Sequence, residues 1–211
     1  DNITDVTVGP CLCSKYIIPK RIHYKQNGVE KIWDAMKVHD GVACLLFNTT
    51  RNVLILVRQF RPAIYINSVT TDVQHGVERV DTDKYPGSLG LTVELCAGII
   101  DRNEPPLNIA KSEILEECGY DVPLESIRKV TSCRSGVGTA GGTLHIFYAE
   151  VTDEMKVGAG GGNPQEGELI EVLEMSLQEG RQLIFDETVN RVHALLFALY
   201  WFFENISKGD S

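Results

Sequence analysis

The apolar positions of this chain fall mainly into short runs divided by polar segments, the pattern of β-strands joined by turns. Val42–Phe47 and Val53–Val57 are two such runs, and the polar residues 48–52 between them predict a hairpin. His23–Trp33 predicts a second hairpin, because Asn27-Gly28 at its centre is a strong signal for a tight turn. Further strands are predicted at Leu91–Cys96, Ile127–Cys133, Leu144–Val151 and Leu169–Met175.

Helical spacing of apolar residues predicts one helix from about Pro105 to Cys118 and another over Thr188–Asn205. Prolines are tolerated at the start of the first helix because the first N–H groups of a helix lack partners, and Gly119 fits its end. The second helix has an apolar face, formed by Val189, Val192, Leu196, Leu199 and Phe203.

Two polar segments predict long loops. Tyr65–Leu89 contains turn-forming residues such as Gly76, and long loops in compact domains often cover a functional site. Met155–Gly167 is rich in glycine, and we expect it to be mobile. Because strands and helices mix without regular βαβ alternation, the whole pattern predicts an α+β fold, an α/β/α sandwich built on a mixed central sheet.

The charge balance narrows the function classes. A formal net charge of −9 over 211 residues argues against general binding of nucleic acid, which needs a basic surface. The longest apolar run, Ala194–Phe203, is too short to span a bilayer, so we expect no membrane insertion. None of the six cysteines forms a CxxC pair, and the first twenty residues have no secretory apolar core, so we expect a cytoplasmic protein.

The candidate chemistry lies on the first predicted helix. Glu113 is three and four positions before Glu116 and Glu117, so the three carboxylates share one helix face. Such a face repels itself unless a cation neutralises it, and Mg²⁺ prefers oxygen ligands that it can share with phosphates. A solvated acidic surface is the alternative interpretation, and the spacing alone leaves both open.

A longer pattern surrounds these glutamates and resembles the signature of the Nudix hydrolase family, G-x5-E-x7-R-E-U-x-E-E-x-G-U with U a bulky aliphatic residue. The match has one clear departure, Ser112, where the family has arginine. The matching positions are Gly98, Glu104, Glu113, Ile114, Glu116, Glu117 and Gly119, with Tyr120 as the last large residue.

The resemblance extends over roughly residues 20–205 and is greatest to the branch that hydrolyses UDP-sugars, with the ADP-ribose pyrophosphatases next to it. The segments that carry it are 33–40, 57–63, 94–98, 135–138 and 166–172. It implies a Nudix domain over residues 41–211, an N-terminal β extension over 1–40, and homodimers in which that extension contacts the partner. It also implies Mg²⁺-dependent hydrolysis of UDP-glucose and similar compounds to UMP and a sugar 1-phosphate.

The resemblance also implies roles for single residues. The metal ligands would be Glu113, Glu116 and Glu117 with the carbonyl of Ala97. A further glutamate from the later loop, Glu166 or Glu168, would act as general base or as an additional ligand.

Substrate contacts are implied elsewhere in the chain. Arg58 and Arg61 would contact the diphosphate, since the guanidinium fork suits phosphate oxygens, although either could instead form a structural ion pair. Trp33 would stack on the nucleobase, unless it is a buried structural residue.

Two alternatives to the UDP-sugar activity stay open at this point. An ADP-ribose pyrophosphatase would have the same fold and chemistry with a different base. The degenerate box position Ser112 would also suit a non-catalytic module that binds nucleotide sugars, but the three helix glutamates favour an enzyme.

Overall fold

The computed structural model describes residues 2–14 and 16–207, apart from the side chain of Glu166. Strands are numbered β1–β13 and α-helices α1–α4 in chain order. The strands are Thr7–Val8 (β1), Ile18–Gln26 (β2), Val29–Lys37 (β3), Gly41–Asn48 (β4), Val53–Phe60 (β5), Thr71–Gln74 (β6), Val77–Val80 (β7), Leu91–Glu94 (β8), Cys96–Ile99 (β9), Ile127–Ser135 (β10), Gly142–Val151 (β11), Ile170–Ser176 (β12) and Asn190–Arg191 (β13). The helices are Pro62–Asn67 (α1), Pro106–Cys118 (α2), Leu177–Leu183 (α3) and His193–Asn205 (α4).

The central sheet has the strand order β10-β11-β4-β5-β8-β13, with β12 paired to β5 and β9 paired to β4. The pairs β11–β4 and β13–β8 are parallel, whereas β4–β5, β5–β8 and β10–β11 are antiparallel. The predicted mixed sheet and the predicted hairpin of β4 and β5 are therefore confirmed.

Helices cover both faces of this sheet. Because successive side chains of a strand point to opposite faces, each central strand contributes to two cores. From β4, Cys44 and Leu46 pack into the core under α2, while Ala43 and Leu45 pack into the core under α4. The apolar residues of α2 that lie in the first core are Ile109, Ala110, Ile114 and Cys118. These two cores make the fold an α+β sandwich with the sheet between the helix layers.

A two-stranded ribbon, β2 and β3, stands apart from the sheet at the N-terminal end. Its turn has positive φ at Asn27 (54°) and Gly28 (83°), as a tight type I′ turn requires. The ribbon runs from Ile18 to Lys37 and so is longer than the predicted His23–Trp33 hairpin.

The prediction of a structureless loop over Tyr65–Leu89 was wrong. The segment holds the end of α1 and the hairpin of β6 and β7, and β1 adds a third strand to that hairpin. The turn residues His75 and Gly76 both have positive φ, 53° and 78°. His75 occupies a place that Asn or Asp usually takes, so the sequence carried no strong hairpin signal.

Two further elements differ from the prediction. Helix α3 was not predicted, although Ser176 and Glu179 form a capping box at its start. The last helix begins at His193 instead of Thr188, because Asn190 and Arg191 pair with β8. Among the described residues, no helix combines the length and the apolar character needed to cross a bilayer.

Candidate active site

Helix α2 presents the three glutamates to different surroundings. Pro106 starts the helix and Gly119 ends it in the left-handed conformation, with φ 75°. Glu116 is exposed, Glu113 is half-buried, and Glu117 is 2% exposed. Glu117 is held by the Ala97 backbone N–H, which donates to its Oε2 at 2.9 Å. The helix therefore presents one fixed and buried carboxylate beside two more accessible ones.

Strand β9 approaches α2 so closely that it tolerates no side chain at Gly98. A Cβ built at Gly98 would lie 2.2 Å from Cδ of Glu113. Gly98 thus provides space for the Glu113 carboxylate, which is the close backbone approach for which glycine is suited.

Burial and mutual repulsion make ionisation of these carboxylates costly. Burial, together with the negative charges of Glu116 and Glu168, raises the pKa of Glu113 to about 7. Burial is also the main cause that raises the pKa of Glu117 to about 8; the Ala97 amide partly opposes it, and Glu113 and Glu168 add repulsion. Near neutral pH the cluster therefore needs either protons or a cation.

Glu168 reaches this cluster from the loop that precedes β12. Its Oε2 accepts a hydrogen bond from the Asn163 N–H at 3.0 Å, and its charge affects both Glu113 and Glu117. The other expected loop glutamate, Glu166, ends the short 3-10 turn Pro164–Glu166, and its side chain lies outside the described part of the structure.

The glycine-rich loop 157–162, which we expected to be mobile, is fastened to the C-terminal end of α2. Gly161 and Gly162 donate to the carbonyls of Glu117 and Glu116 at 2.9 and 3.2 Å, and Val157 donates to Gly119 at 2.9 Å. These bonds satisfy carbonyls that a helix end leaves without partners. The loop therefore ties Glu168 to the glutamate face of α2.

The two arginines proposed for the diphosphate lie in different places. Arg61 forms a forked ion pair with the buried Glu94, through Nε and Nη2 at 2.7 and 2.8 Å. Glu117 and Glu168 also raise the pKa of Arg61, after the larger effect of Glu94, so its guanidinium lies in the field of the cluster. Arg58 pairs with Glu171 across the β5–β12 strand pair, and both side chains are about half exposed.

A cavity of about 860 Å³ opens beside the cluster. Its wall includes Ala97, which also binds Glu117, so the cavity and the carboxylates share a boundary. Sequence reasoning assigned no role to several of its other lining residues, among them Glu94, Arg134, His193 and Phe197. They come from strands and a helix far apart in the chain, and no spacing in the sequence signals that they meet.

Trp33 lies on the ribbon, close to the loop of Gly136 and Gly138 that lines this cavity. Its Nε1 donates to the carbonyl of Gly138 at 2.7 Å, and the ring is 53% exposed. Met36 N–H also donates to the carbonyl of Thr139 at 2.6 Å. Trp33 is therefore not buried, and its indole extends from the ribbon toward the edge of the cavity.

The carboxylates of Glu113, Glu116 and Glu117 lie on one face of α2 but do not converge on a common position. Within the described part of the chain, no three His, Cys, Asp or Glu side chains converge as a ready metal site. The geometry consists of an acidic cluster with raised pKa values, an adjoining arginine and a large cavity.

Known proteins resemble this chain along most of its length, although it matches no protein-family profile. It is 42% identical over 217 aligned residues to the uridine diphosphate glucose pyrophosphatase of Bos taurus. That alignment covers 99% of this chain and 98% of the relative. The Mus musculus protein of the same name is 40% identical over 98% of this chain and 96% of its own length. A GDP-mannose pyrophosphatase of Salmonella typhimurium is 32% identical over 82% of this chain and 81% of its own length.

The chain belongs to the Nudix hydrolase family. Within its Nudix box, the departure at Ser112 has a local consequence. Ser112 Oγ donates to the carbonyl of Asn108 at 3.2 Å, back along its own helix. The box residue Glu104 instead pairs with Arg102, at 3.5 Å and with both side chains about half exposed. The cation next to Glu104 is therefore a residue of the same loop.

Proposed function

We propose that this Nudix hydrolase splits the diphosphate of UDP-sugars, with UDP-glucose as the reference substrate, to give UMP and a sugar 1-phosphate. The observation that carries the proposal is the boundary shared by the glutamate cluster and the 860 Å³ cavity at Ala97. This boundary places room for a nucleotide sugar next to groups suited to diphosphate chemistry. The uridine diphosphate glucose pyrophosphatases that resemble the chain over nearly its full length support the choice of UDP.

Mg²⁺ is the proposed cofactor, and the donors fit it. The set is formed by oxygens only: the carboxylates of Glu113, Glu116 and Glu117 and the carbonyl of Ala97. Burial and mutual repulsion raise the pKa values of Glu113 and Glu117, and a bound cation would offset both costs. When bound, the metal would polarise the diphosphate and acidify a water molecule.

The chain's own residues position the substrate around this point. Arg61 lies in the field of the cluster and supplies a guanidinium group for phosphate oxygens. Arg58, which pairs with Glu171 away from the cluster, is the second proposed phosphate contact. The charge of Glu168 acts on both Glu113 and Glu117, which supports assigning to it the role of accepting a proton from the attacking water; Glu166 is the alternative. Trp33 at the cavity edge offers a surface for stacking of the base.

The N-terminal ribbon supports a homodimer. Residues opposite each other in an antiparallel pair share a face, and one face of the ribbon carries a group of exposed apolar side chains among its lysines. Its exposed apolar residues are Ile18, Ile22, Tyr24, Val29 and Trp33. The other face has the ion pairs Arg21–Asp34 and Lys25–Glu30. An isolated two-stranded ribbon is marginal in water, so we propose that a second copy covers its apolar face.

The six cysteines are all free thiols in the described part of the chain. A reducing compartment keeps thiols in this state, and we propose that the protein works in the cytoplasm.

Substrate comparison at equal Mg²⁺ tests the proposed activity. We expect kcat/KM for UDP-glucose to exceed the values for GDP-mannose and ADP-ribose, with UMP and glucose 1-phosphate as products. A preference for ADP-ribose would contradict the choice of substrate. If Glu117→Gln and wild type released UMP at equal rates, the assigned site would be wrong, and binding without turnover would favour a non-catalytic module. Glu125→Gln, an exposed glutamate outside the cluster, is the matched control and should behave as wild type.

A further inference from the structure

Glu94 is a buried carboxylate beside the site that has no role in the chemistry proposed so far. It is the last residue of β8, its side chain is 8% exposed, and it lines the cavity together with Ala97. A buried carboxylate is costly unless it is paired and hydrogen-bonded. The partners of Glu94 therefore indicate what it does.

Two side chains hold Glu94 in one orientation. Arg61 donates from Nε to Oε1 at 2.7 Å and from Nη2 to Oε2 at 2.8 Å. The Thr92 hydroxyl donates to Oε1 at 2.5 Å. A forked contact of this kind fixes the plane of the guanidinium as well as its distance.

The backbone of Arg61 is fixed as well. Its N–H donates to the carbonyl of Gly90 at 2.8 Å, and its carbonyl accepts from the N–H groups of Ile64 and Tyr65, both at 3.0 Å. Because Nε and Nη2 face Glu94, the edge that carries Nη1 faces away from that carboxylate. The backbone and the guanidinium group of Arg61 are therefore both fixed, and the Nη1 edge of the guanidinium points away from Glu94.

This cation is close to the groups that would face the substrate. The negative charges of Glu117 and Glu168 both raise the pKa of Arg61, after the larger effect of Glu94. Glu94 lines the same cavity as Ala97. The ion pair is therefore at the boundary where the cluster meets the cavity, next to the expected position of the diphosphate.

We propose that Glu94 is a positioning residue, whose fork with Arg61 aims the Nη1 edge of that guanidinium at the diphosphate of the bound nucleotide sugar. This rests on the proposed function. Glu94 itself does not contact the reacting atoms. Without its carboxylate, Arg61 would keep its charge but lose the fixed plane, and the contact with phosphate oxygens would lose its preorganisation.

Binding of a UDP-glucose analogue with a methylene group in place of the bridging oxygen tests this directly by calorimetry. We expect Glu94→Gln to raise the dissociation constant about tenfold, the lower end of what loss of a supporting partner costs at such sites. The KM for UDP-glucose should rise with it, while kcat changes less. Because Glu94 acts through Arg61, the double variant with Arg61→Gln should bind no worse than Arg61→Gln alone.

Glu174→Gln is the control, since Glu174 is another strand glutamate, on β12, that forms an ion pair with an arginine, Arg51. It should leave the dissociation constant unchanged even if it lowers the melting temperature. Glu94→Asp is a second variant in case Glu94→Gln does not fold, and it should bind with an intermediate dissociation constant.

Two outcomes would overturn the proposal: a Glu94→Gln protein that melts lower but binds the analogue as wild type does, or losses that add fully in the double variant. The proposed function can fail separately. Wild-type protein that binds the analogue but leaves UDP-glucose intact would refute hydrolysis, and the binding comparison would still decide the role of Glu94.

Discussion

At the residue scale, the site depends on carboxylates held where ionisation is costly. Glu117 is buried and bound to the Ala97 amide, and Glu113 fills the space that Gly98 leaves. The sequence predicted that these glutamates share a helix face, because that follows from spacing within one helix. It could not predict their different burial, which depends on how closely β9 approaches α2.

The first prediction concerns stability and pH. The unfolded chain has glutamate pKa values of about 4.3, whereas those of Glu113 and Glu117 in the fold are raised to about 7 and about 8. Between the unfolded and the folded pKa values the folded state binds more protons than the unfolded chain, so stability falls as pH rises through that interval and levels off above the folded values. We expect the melting temperature of the metal-free protein to fall from about pH 4 to about pH 8 through these two groups.

Glu117→Gln should flatten this fall, because the amide does not ionise, and Glu125→Gln should not. Addition of Mg²⁺ should raise the wild-type melting temperature more at the higher pH, where the carboxylates are free to bind it. Parallel melting curves for wild type and Glu117→Gln across the range would contradict the assignment of the raised pKa.

The second prediction concerns Gly98→Ala. The added Cβ would overlap the Glu113 carboxyl group, so that side chain must move away from Ala97 and Glu117. We expect a weaker apparent affinity for Mg²⁺ and kcat/KM for UDP-glucose lowered by about 10–100-fold, as for misplaced metal ligands. Gly158→Ala, where a Cβ meets nothing within 4 Å, is the control and should stay within about twofold of wild type.

At the scale of elements, the loop 157–162 and α2 act as one unit. The loop bonds to the carbonyl end of the helix and thereby places Glu168 beside the helix glutamates. The sequence predicted α2 with its end at Gly119, because capping signals are local. It did not predict the docking of the loop, because the glycines that permit it are also typical of mobile segments.

The same contrast applies to the other elements. The β4–β5 hairpin was predictable from apolar runs that are buried on both faces. The β6–β7 hairpin was not, because it is largely exposed and lacks a continuous apolar pattern. At the site, the glutamates and arginines were predictable as candidates from motif and resemblance. The cavity was not, because its wall is assembled from distant segments.

The third prediction tests the docked loop through Gly160→Ala. Gly160 has φ 73°, and a Cβ there would lie 2.3 Å from the carbonyl oxygen of Glu117. We expect the loop to leave the helix end, with kcat reduced about tenfold or more as Glu168 loses its position. Hydrogen exchange of residues 157–162 should become faster in the same variant.

Gly76→Ala separates backbone strain from lost contact, since Gly76 has φ 78° with nothing within 4 Å of a Cβ. It should lower stability without changing kcat. Equal kcat for Gly160→Ala and wild type would show that the docked loop has no part in turnover.

At the scale of the whole molecule, the ribbon of residues 18–37 connects the proposed assembly with the site. Its exposed apolar face carries Trp33, and the Trp33 indole also contacts Gly138 at the edge of the cavity. A partner that covers this face would therefore also fix one edge of this cavity.

The fourth prediction is that charge on the apolar face separates the copies. We expect Ile22→Asp to shift the sedimentation coefficient from dimer to monomer at micromolar concentration, because Ile22 is 46% exposed at the centre of that face. Val73→Asp, at an exposed residue of the β6–β7 hairpin, is the control and should leave the assembly unchanged. A wild-type protein that sediments as a monomer would contradict the proposed dimer.

The most direct test of the central claim is the Mg²⁺ dependence of UMP release from UDP-glucose, measured for wild type and for Glu117→Gln. We expect no release without a divalent cation, saturable release in wild type, and a loss of at least about 100-fold in the variant at saturating Mg²⁺. Metal-independent release of UMP, or equal Mg²⁺ titrations for the two proteins, would contradict that claim.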